Sequence, residues 1–377
     1  MEQAQNELSH VYMVSGDLGG TNTRLYLLKL NIKHTQDEET KQLNLESYET
    51  LAYKHVPTPK TKQPFEEINA LVEENLEKIC DRSLLKLCVI SIAGPVFDGI
   101  CLITCDIPHW QTVKEQDLQE QCQIPTVKLV NDYTANGYGI IDLANDDQVS
   151  LYKPEQEILP SEDVCKIVYG IGTGLGVCMM GRPNETVPFH HYPSEGGIAP
   201  LALYNSMDRK FIEFLTTQKG KSNPVVISVI LGGCGLPYLV EFLATVTDEN
   251  RDKYKDCPIL TIPFADIKPE QVTEYARDKQ DQLCIDACYY FLDFSAKYLS
   301  DYAAIYLPLG GLYITASVLQ AMDFMFQKEE VRQHFIDLVH NKGPLKPVVQ
   351  RMKINLVTCK DLAIKGCVKY AEINNLF

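Results

Sequence analysis

Two short glycine-rich turns, each set between apolar runs, constrain the folding of this 377-residue chain more than any other feature. The first lies in "SGDLGGTNTRLYLLKL", residues 15–30, where Val11–Val14 before it reads as a buried strand and Leu25–Leu28 after it as another. The second, "YGIGTGLGVCMMG" at residues 169–181, has the same build. Strand, small residues, strand implies a hairpin, and glycine at its tip lets another group come close to the backbone. Glycine amides and threonine hydroxyls in such a tip can form a concave set of donors for phosphate oxygens. With one tip in each half of the chain, the pair predicts two related α/β halves that hold one polyphosphate. Tight turns alone would also account for either tip taken singly.

Neither tip fits the commoner phosphate motifs. No lysine follows either glycine cluster, so the GxxxxGK[ST] loop is absent, and Gly172, Gly174 and Gly176 run into Val177–Met180 rather than opening a helix. Between the tips, "VKLVNDYTANGYG" reads as a strand ending in Asn131 and Asp132. Crevices that bind ligands in open α/β sheets lie beyond the carboxyl ends of strands. There Asp132 could accept a hydroxyl proton and Asn131 could hold a neighbouring hydroxyl. A helix cap is the other use of Asn-Asp at such a position.

The remaining order of elements is mixed α/β. Glu46–His55 reads as a strand, Pro64–Asp81 as an amphipathic helix, Leu87–Ala93 as a buried strand ending in Gly94 and Pro95, and Val113–Cys122 as a helix. The polar stretch Asp142–Asp163 reads as a connection, with a domain boundary at its start: 1–141 forms a smaller domain completed by a C-terminal helix from about 360 to 377, and 142–359 a larger one. Within the second half, Asp281–Tyr302 reads as a long helix, Ala303–Leu309 as a strand ending in Gly310 and Gly311, and Lys353–Cys359 as a strand. The aromatic face Tyr289, Tyr290, Phe291, Phe294 and Tyr298 reads as core.

Charge and cysteine usage narrow the partners. A net charge of -15 argues against nucleic acid or an anionic membrane, which are bound by clustered Lys and Arg. Thirteen scattered cysteines without a CxxC pair fit free thiols in a reducing compartment, and the polar N-terminus carries no signal-peptide pattern, so a cytoplasmic protein is expected. Cys101, Cys105 and His109, with Asp106, have suggestive spacing for zinc, but their segment reads as a strand and a Pro-bearing loop that would not converge them. Trp110, the one tryptophan, fits either packing or stacking on a ligand. The sequence is compatible with a monomer or a homodimer.

Taken in order, GDLGGTNTR, the AGP loop at Ala93–Pro95, VNDYTANGYG, GIGTGLG, PSEGG at Pro193–Gly197, LGGCGL at Leu231–Leu236 and PLGGLY at Pro308–Tyr313 resemble the bacterial-type glucokinases nearly end to end. That family belongs to the hexokinase, actin and heat-shock ATPase superfamily. The resemblance implies an actin-like ATPase (ribonuclease H-like) fold, with two α/β domains and a cleft between them, and transfer of the ATP γ-phosphoryl to the 6-hydroxyl of glucose. It further implies Mg²⁺ held through water by Asp17; ATP phosphates at Gly19, Gly20, Thr21, Asn22, Gly172, Thr173 and Gly174; the nucleoside at Gly310 and Gly311; Asp132 as base; and sugar contacts at Asn131, Glu195, Gly94, Gly196 and Asp106. Three positions depart from the family pattern. Ile198 stands where a histidine is usual, Ser228 where a glutamate is usual, and Asp106 where an asparagine is usual. These departures bear on which hexose is taken more than on phosphoryl transfer. A kinase of another hexose or with another phosphate donor, and a nucleotide-binding sensor without catalysis, are the alternatives.

Overall fold

The computed structural model describes residues 8–34, 43–79, 81–104, 110–156, 159–246, 252–315 and 317–377. They form two compact units, Met1–Leu143 with Cys359–Phe377, and Ala144–Thr358.

The strands of the first unit are β1 (Leu8–Leu18), β2 (Asn22–His34), β3 (Leu43–Pro57), β4 (Leu85–Ile92), β5 (Val96–Phe97), β6 (Ile100–Leu102), β7 (Thr112–Lys114) and β8 (Thr126–Asn131). Its main sheet has the order β3-β2-β1-β4-β8; the first three strands form an antiparallel meander, and β1, β4 and β8 run parallel. Strand alternation splits the apolar residues between the two faces. Tyr12, Val14, Leu25 and Leu27 pack against Ile68 and Leu71 of helix α1 (Pro64–Glu73) and Leu118 of α2 (Glu115–Cys122). Met13, Tyr26, Leu28 and Val89 pack against Ala135 of α3 (Asp132–Gly139) and Ile364, Cys367 and Val368 of the C-terminal helix Leu362–Ile373. Those two helices touch backbone to backbone: a β-carbon on Gly366 would lie 1.7 Å from the Ala135 carbonyl oxygen.

The second unit repeats the pattern. Its strands are β9 (Gln148–Tyr152), β10 (Cys165–Ile171), β11 (Leu175–Gly181), β12 (His190–Ser194), β13 (Leu312–Thr315) and β14 (Ile354–Val357), in the order β12-β11-β10-β13-β14-β9. Again a meander, β10-β11-β12, leads into parallel strands β10, β13 and β14. In both units the hairpin that opens the meander has a three-residue tip, 19–21 and 172–174, at the carboxyl edge of the parallel strands. Helix α4 (Ser206–Thr217), α5 (Gly235–Thr245) and a long helix, Gln282–Tyr306, supply much of the core. On that long helix Phe291, Phe294 and Tyr298 are buried while Tyr289 and Tyr290 pack partly buried against the same core.

Several elements differ from the sequence expectation. Ala303–Leu309 is not a strand: the long helix continues to Tyr306 and stops where Leu307 turns left-handed (φ 49°) before Pro308, and the strand begins after the glycines, at Leu312. A short apolar run has no periodicity that separates helix from strand. The polar stretch 142–163 contains β9, an edge strand with only Leu151 buried, so its hydrophobic signal is one residue deep. Pro64–Asp81 is a helix only to Glu73, followed by a single 3-10 turn at Leu76–Lys78, and the expected helix from Val113 begins at Glu115, after β7. No described helix is long and apolar enough to cross a membrane.

Candidate active site

On the first unit the carboxyl edge of the sheet collects the residues of three motifs. Asp17, next to last in β1, faces Arg24 across the hairpin, whose guanidinium donates to Asp17 Oδ2 at 3.1 Å; Ser91 Oγ of β4 stands 3.5 Å from Oδ1. A quarter of the Asp17 side chain (24 %) reaches solvent. Burial of the remainder pushes its carboxyl above the usual range, Arg24 pulls against that rise, and the nearby Asp361 charge adds to it. The tip closes through Gly19 N–H donating to Asn22 O at 2.9 Å. Thr58, just past β3, braces it twice: its hydroxyl donates to Gly19 O at 2.7 Å and its amide to Thr21 O at 2.9 Å. His55 Nε2 lies 2.8 Å from Asn22 Oδ1. Arg24 sits inside the quoted motif, but Thr58 and His55 lie outside it, and only their place at the end of a strand-like run could have pointed to them.

Beside the tip, Ala93 N–H donates to Leu18 O at 3.0 Å and brings the AGP loop against it. Gly94 has φ +134°, and a β-carbon there would meet Leu102 O at 2.3 Å, so the loop needs glycine. Asn131, 8 % exposed, ties this loop to α3. Its amide donates to Gly94 O at 3.1 Å and to Asp132 Oδ1 at 3.0 Å, and its Oδ1 accepts from Tyr133 N at 3.1 Å and Thr134 N at 3.2 Å. Asn131 is therefore the helix cap, and all four of its hydrogen-bonding positions are taken. A hydroxyl that binds Asn131 must displace one of these partners. Asp132, the first residue of α3, has one oxygen fixed by Asn131 and by its neighbour's amide, Tyr133 N at 3.0 Å.

On the second unit the other tip is built differently. Gly172 N–H donates to Gly174 O at 2.9 Å, and Gly233 N–H donates to Gly172 O at 3.0 Å. A β-carbon on Gly172 would meet nothing within 4 Å, whereas one on Gly174 would lie 3.0 Å from Ser228 Oγ. Pairing of Val177 with Ser194 sets the Glu195–Gly197 turn beside this tip. Gly196 N–H donates to Ser194 Oγ at 2.9 Å, and Gly197 has no room for a side chain, since a β-carbon would lie 2.0 Å from Leu175 O. Glu195 is exposed, and the neighbouring protein desolvates its carboxyl enough to raise it. Ile198 projects with 60 % of its surface exposed.

Gly310 and Gly311 do not join this group. They precede β13, whose parallel register pairs Ile167 with Leu312 and Gly170 with Thr315, so they lie at the opposite end of the sheet from residues 172–174. Their need for glycine is internal: a β-carbon on Gly310 would lie 2.4 Å from Asp163 Oδ1, and Gly311 has φ +120°. At the tip's end β13 finishes in Thr315, whose buried hydroxyl has no hydrogen-bond partner among the described residues. The "GG" was the conspicuous signal, and the threonine that ends the strand carried none. Asp106, like Cys105 and His109, falls outside the described residues. Cys101 is buried, and Trp110 is packing: it is 2 % exposed, with its indole N–H on Lys62 O at 2.7 Å.

Comparison with known proteins gives the family and the fold. The glucokinase family model matches residues 14–374. A glucokinase from Synechocystis is 26% identical over 369 residues, covering 94% of this chain and 96% of that protein. Among solved structures, a glucokinase from Balamuthia mandrillaris in complex with glucose superposes with a TM-score of 0.68 at 18% identity, covering 97% of this chain and 94% of that one. A ROK family glucokinase from Streptomyces griseus in complex with glucose and AMPPNP superposes with a TM-score of 0.59 at 17% identity, covering 96% of this chain and 98% of that one. The fold is thus the actin-like ATPase fold. With the family model spanning nearly its whole length, the chain belongs to the glucokinase family.

Proposed function

We propose that this chain, an ATP-dependent hexose kinase by family, transfers the γ-phosphoryl of ATP to the 6-hydroxyl of glucose, with Asp132 as the base. The observation that carries the reading is the carboxyl edge of the first sheet, where Asp17 and the 19–21 tip lie at the end of β1, Leu18 O accepts from Ala93 N–H of the AGP loop, and Asn131 bonds both Gly94 O and Asp132. Phosphate donors and a carboxylate base on one sheet edge are what in-line transfer to a hydroxyl requires, because such catalysis is mostly alignment and charge stabilisation. Asn131 holds Asp132 in its rotamer and exchanges one bond for a sugar hydroxyl, while Glu195, Gly94 and Gly196 serve the sugar. Gly172, Thr173 and Gly174 serve the phosphates. The nucleoside is assigned to the end of β13 at Thr315 rather than to Gly310 and Gly311, on the register of that strand.

Magnesium fits the donors present. No group of three or more His, Cys, Asp or Glu side chains clusters among the described residues. Mg²⁺ keeps most of its waters and binds through one or two carboxylates plus substrate phosphates, which suits a single partly exposed Asp17. When bound it would neutralise charge on the β- and γ-phosphates. The eleven cysteines that are described are all free thiols, which suits a reducing cytoplasm.

The test is Asp132→Asn, which keeps the shape at the start of α3. Turnover should fall by at least ~100-fold while glucose affinity stays within about tenfold, since the base acts on one hydroxyl and other ligands remain. A variant that keeps a tenth of normal turnover removes Asp132 from the role.

A further inference from the structure

One segment of the second unit, residues 225–233, touches both turns of the candidate site. Towards Glu195, Ile227 N–H donates to Ala199 O at 2.9 Å and Leu201 N–H to Val225 O at 2.7 Å. Towards the other tip, Gly233 N–H donates to Gly172 O at 3.0 Å, and Gly232 packs so closely that a β-carbon would lie 2.4 Å from Thr173 O.

Ser228 stands between these attachments. Its hydroxyl accepts from Leu175 N–H at 3.1 Å, the first amide after the 172–174 tip. The same oxygen occupies the space left by two missing side chains, 2.4 Å from where a Gly197 β-carbon would be and 3.0 Å from that of Gly174. An oxygen in that gap satisfies a strand amide and fills a void that two facing glycines would otherwise leave.

We propose that Ser228 is a positioning residue that locks the Gly172–Gly174 turn and the Glu195–Gly197 turn into one geometry, so that nucleotide and sugar affinity are set together. The proposal rests on reading those turns as the phosphate and sugar elements. The Ser228 oxygen is held by Leu175 N–H, which ties the residue to the hairpin; the O–H is left as a donor, and a sugar contact through it would appear as a change in the glucose KM alone.

Ser228→Ala and Ser228→Thr in the full chain test it, with KM for ATP, KM for glucose, kcat, Tm and hydrogen exchange at the Leu175 amide as readouts. Ser228→Ala should raise both KM values together by about five- to tenfold, the effect of one lost hydrogen bond, with kcat within about threefold and faster exchange at Leu175. Ser228→Thr, which keeps the acceptor, should return both KM values towards normal. A rise in the glucose KM alone would make Ser228 a sugar ligand and overturn the proposal. A lower Tm with both KM values unchanged would reduce it to packing and overturn it equally. Gly172→Val and Glu195→Gln separate this failure from that of the parent reading: if the first leaves ATP binding normal and the second leaves glucose binding normal, the turns themselves are misassigned.

Discussion

At the scale of single residues, the account depends on carboxylates whose surroundings differ. Glu195 has its carboxyl raised above the ordinary 4.5 by partial desolvation. A protonated Glu195 is a weaker acceptor of sugar hydroxyls than its carboxylate, so the glucose KM should rise as pH falls, and the rise should begin above the pH at which an ordinary glutamate titrates. Steady-state kinetics across pH would show this, and Glu195→Gln should start with a higher KM and flatten the profile. An unchanged profile in that variant would assign the titration elsewhere. At this scale the sequence was legible where a motif names its own residue, as at Asp17, Asn131 and Asp132. It was not legible where a residue acts through distant chain. Thr58 braces the first tip from across the sheet, Asn131 reaches beyond its local cap to Gly94 O, thirty-seven positions away, and Ser228 reaches Leu175 from fifty-three positions away.

At the scale of elements, the two hairpins carry the argument, and Gly172 offers the cleaner test of what a tip is for. Because a β-carbon there meets nothing within 4 Å, Gly172→Val should leave Tm within ~2 °C, as substitutions that clash with nothing do, yet raise the KM for ATP by more than about tenfold by filling the space of a phosphate. Normal ATP binding would make the tip a turn and nothing else. The helix pair of the first unit gives the opposite expectation. Gly366→Ala puts a methyl into the Ala135 carbonyl, and such overpacking should cost about 3 kcal/mol or more, seen as a large fall in Tm or in soluble yield. Both hairpins could be read from the sequence because apolar runs with small residues between them have few alternatives. The strand after Gly311 could not, because the apolar residues before the glycines continue the helix without a break in pattern until Pro308.

At the scale of the whole molecule, the question is which hexose the kinase takes. Ile198 presents an exposed apolar surface beside Glu195, and the Ser228 oxygen is tied to the Leu175 amide with its single O–H left to donate, so two positions that the family resemblance associates with sugar contacts carry neither an imidazole nor a carboxylate. A site that does not hydrogen-bond a hydroxyl cannot strongly reject an analogue lacking it, so 2-deoxyglucose or mannose should lose only ~10- to 200-fold in kcat/KM relative to glucose. A loss above about 10⁴-fold for 2-deoxyglucose would mean that its 2-hydroxyl is gripped by groups outside these positions. The central claim, that this chain moves a phosphoryl group from ATP to glucose with Asp132 as base, is tested most directly by one coupled assay of ADP formation on the unaltered chain and on Asp132→Asn, with Mg²⁺ and with glucose present or omitted. The account predicts ADP formation that depends on glucose, matches glucose 6-phosphate one for one, and falls by at least ~100-fold in the variant; ADP formation indifferent to glucose, or undiminished by the substitution, would contradict it.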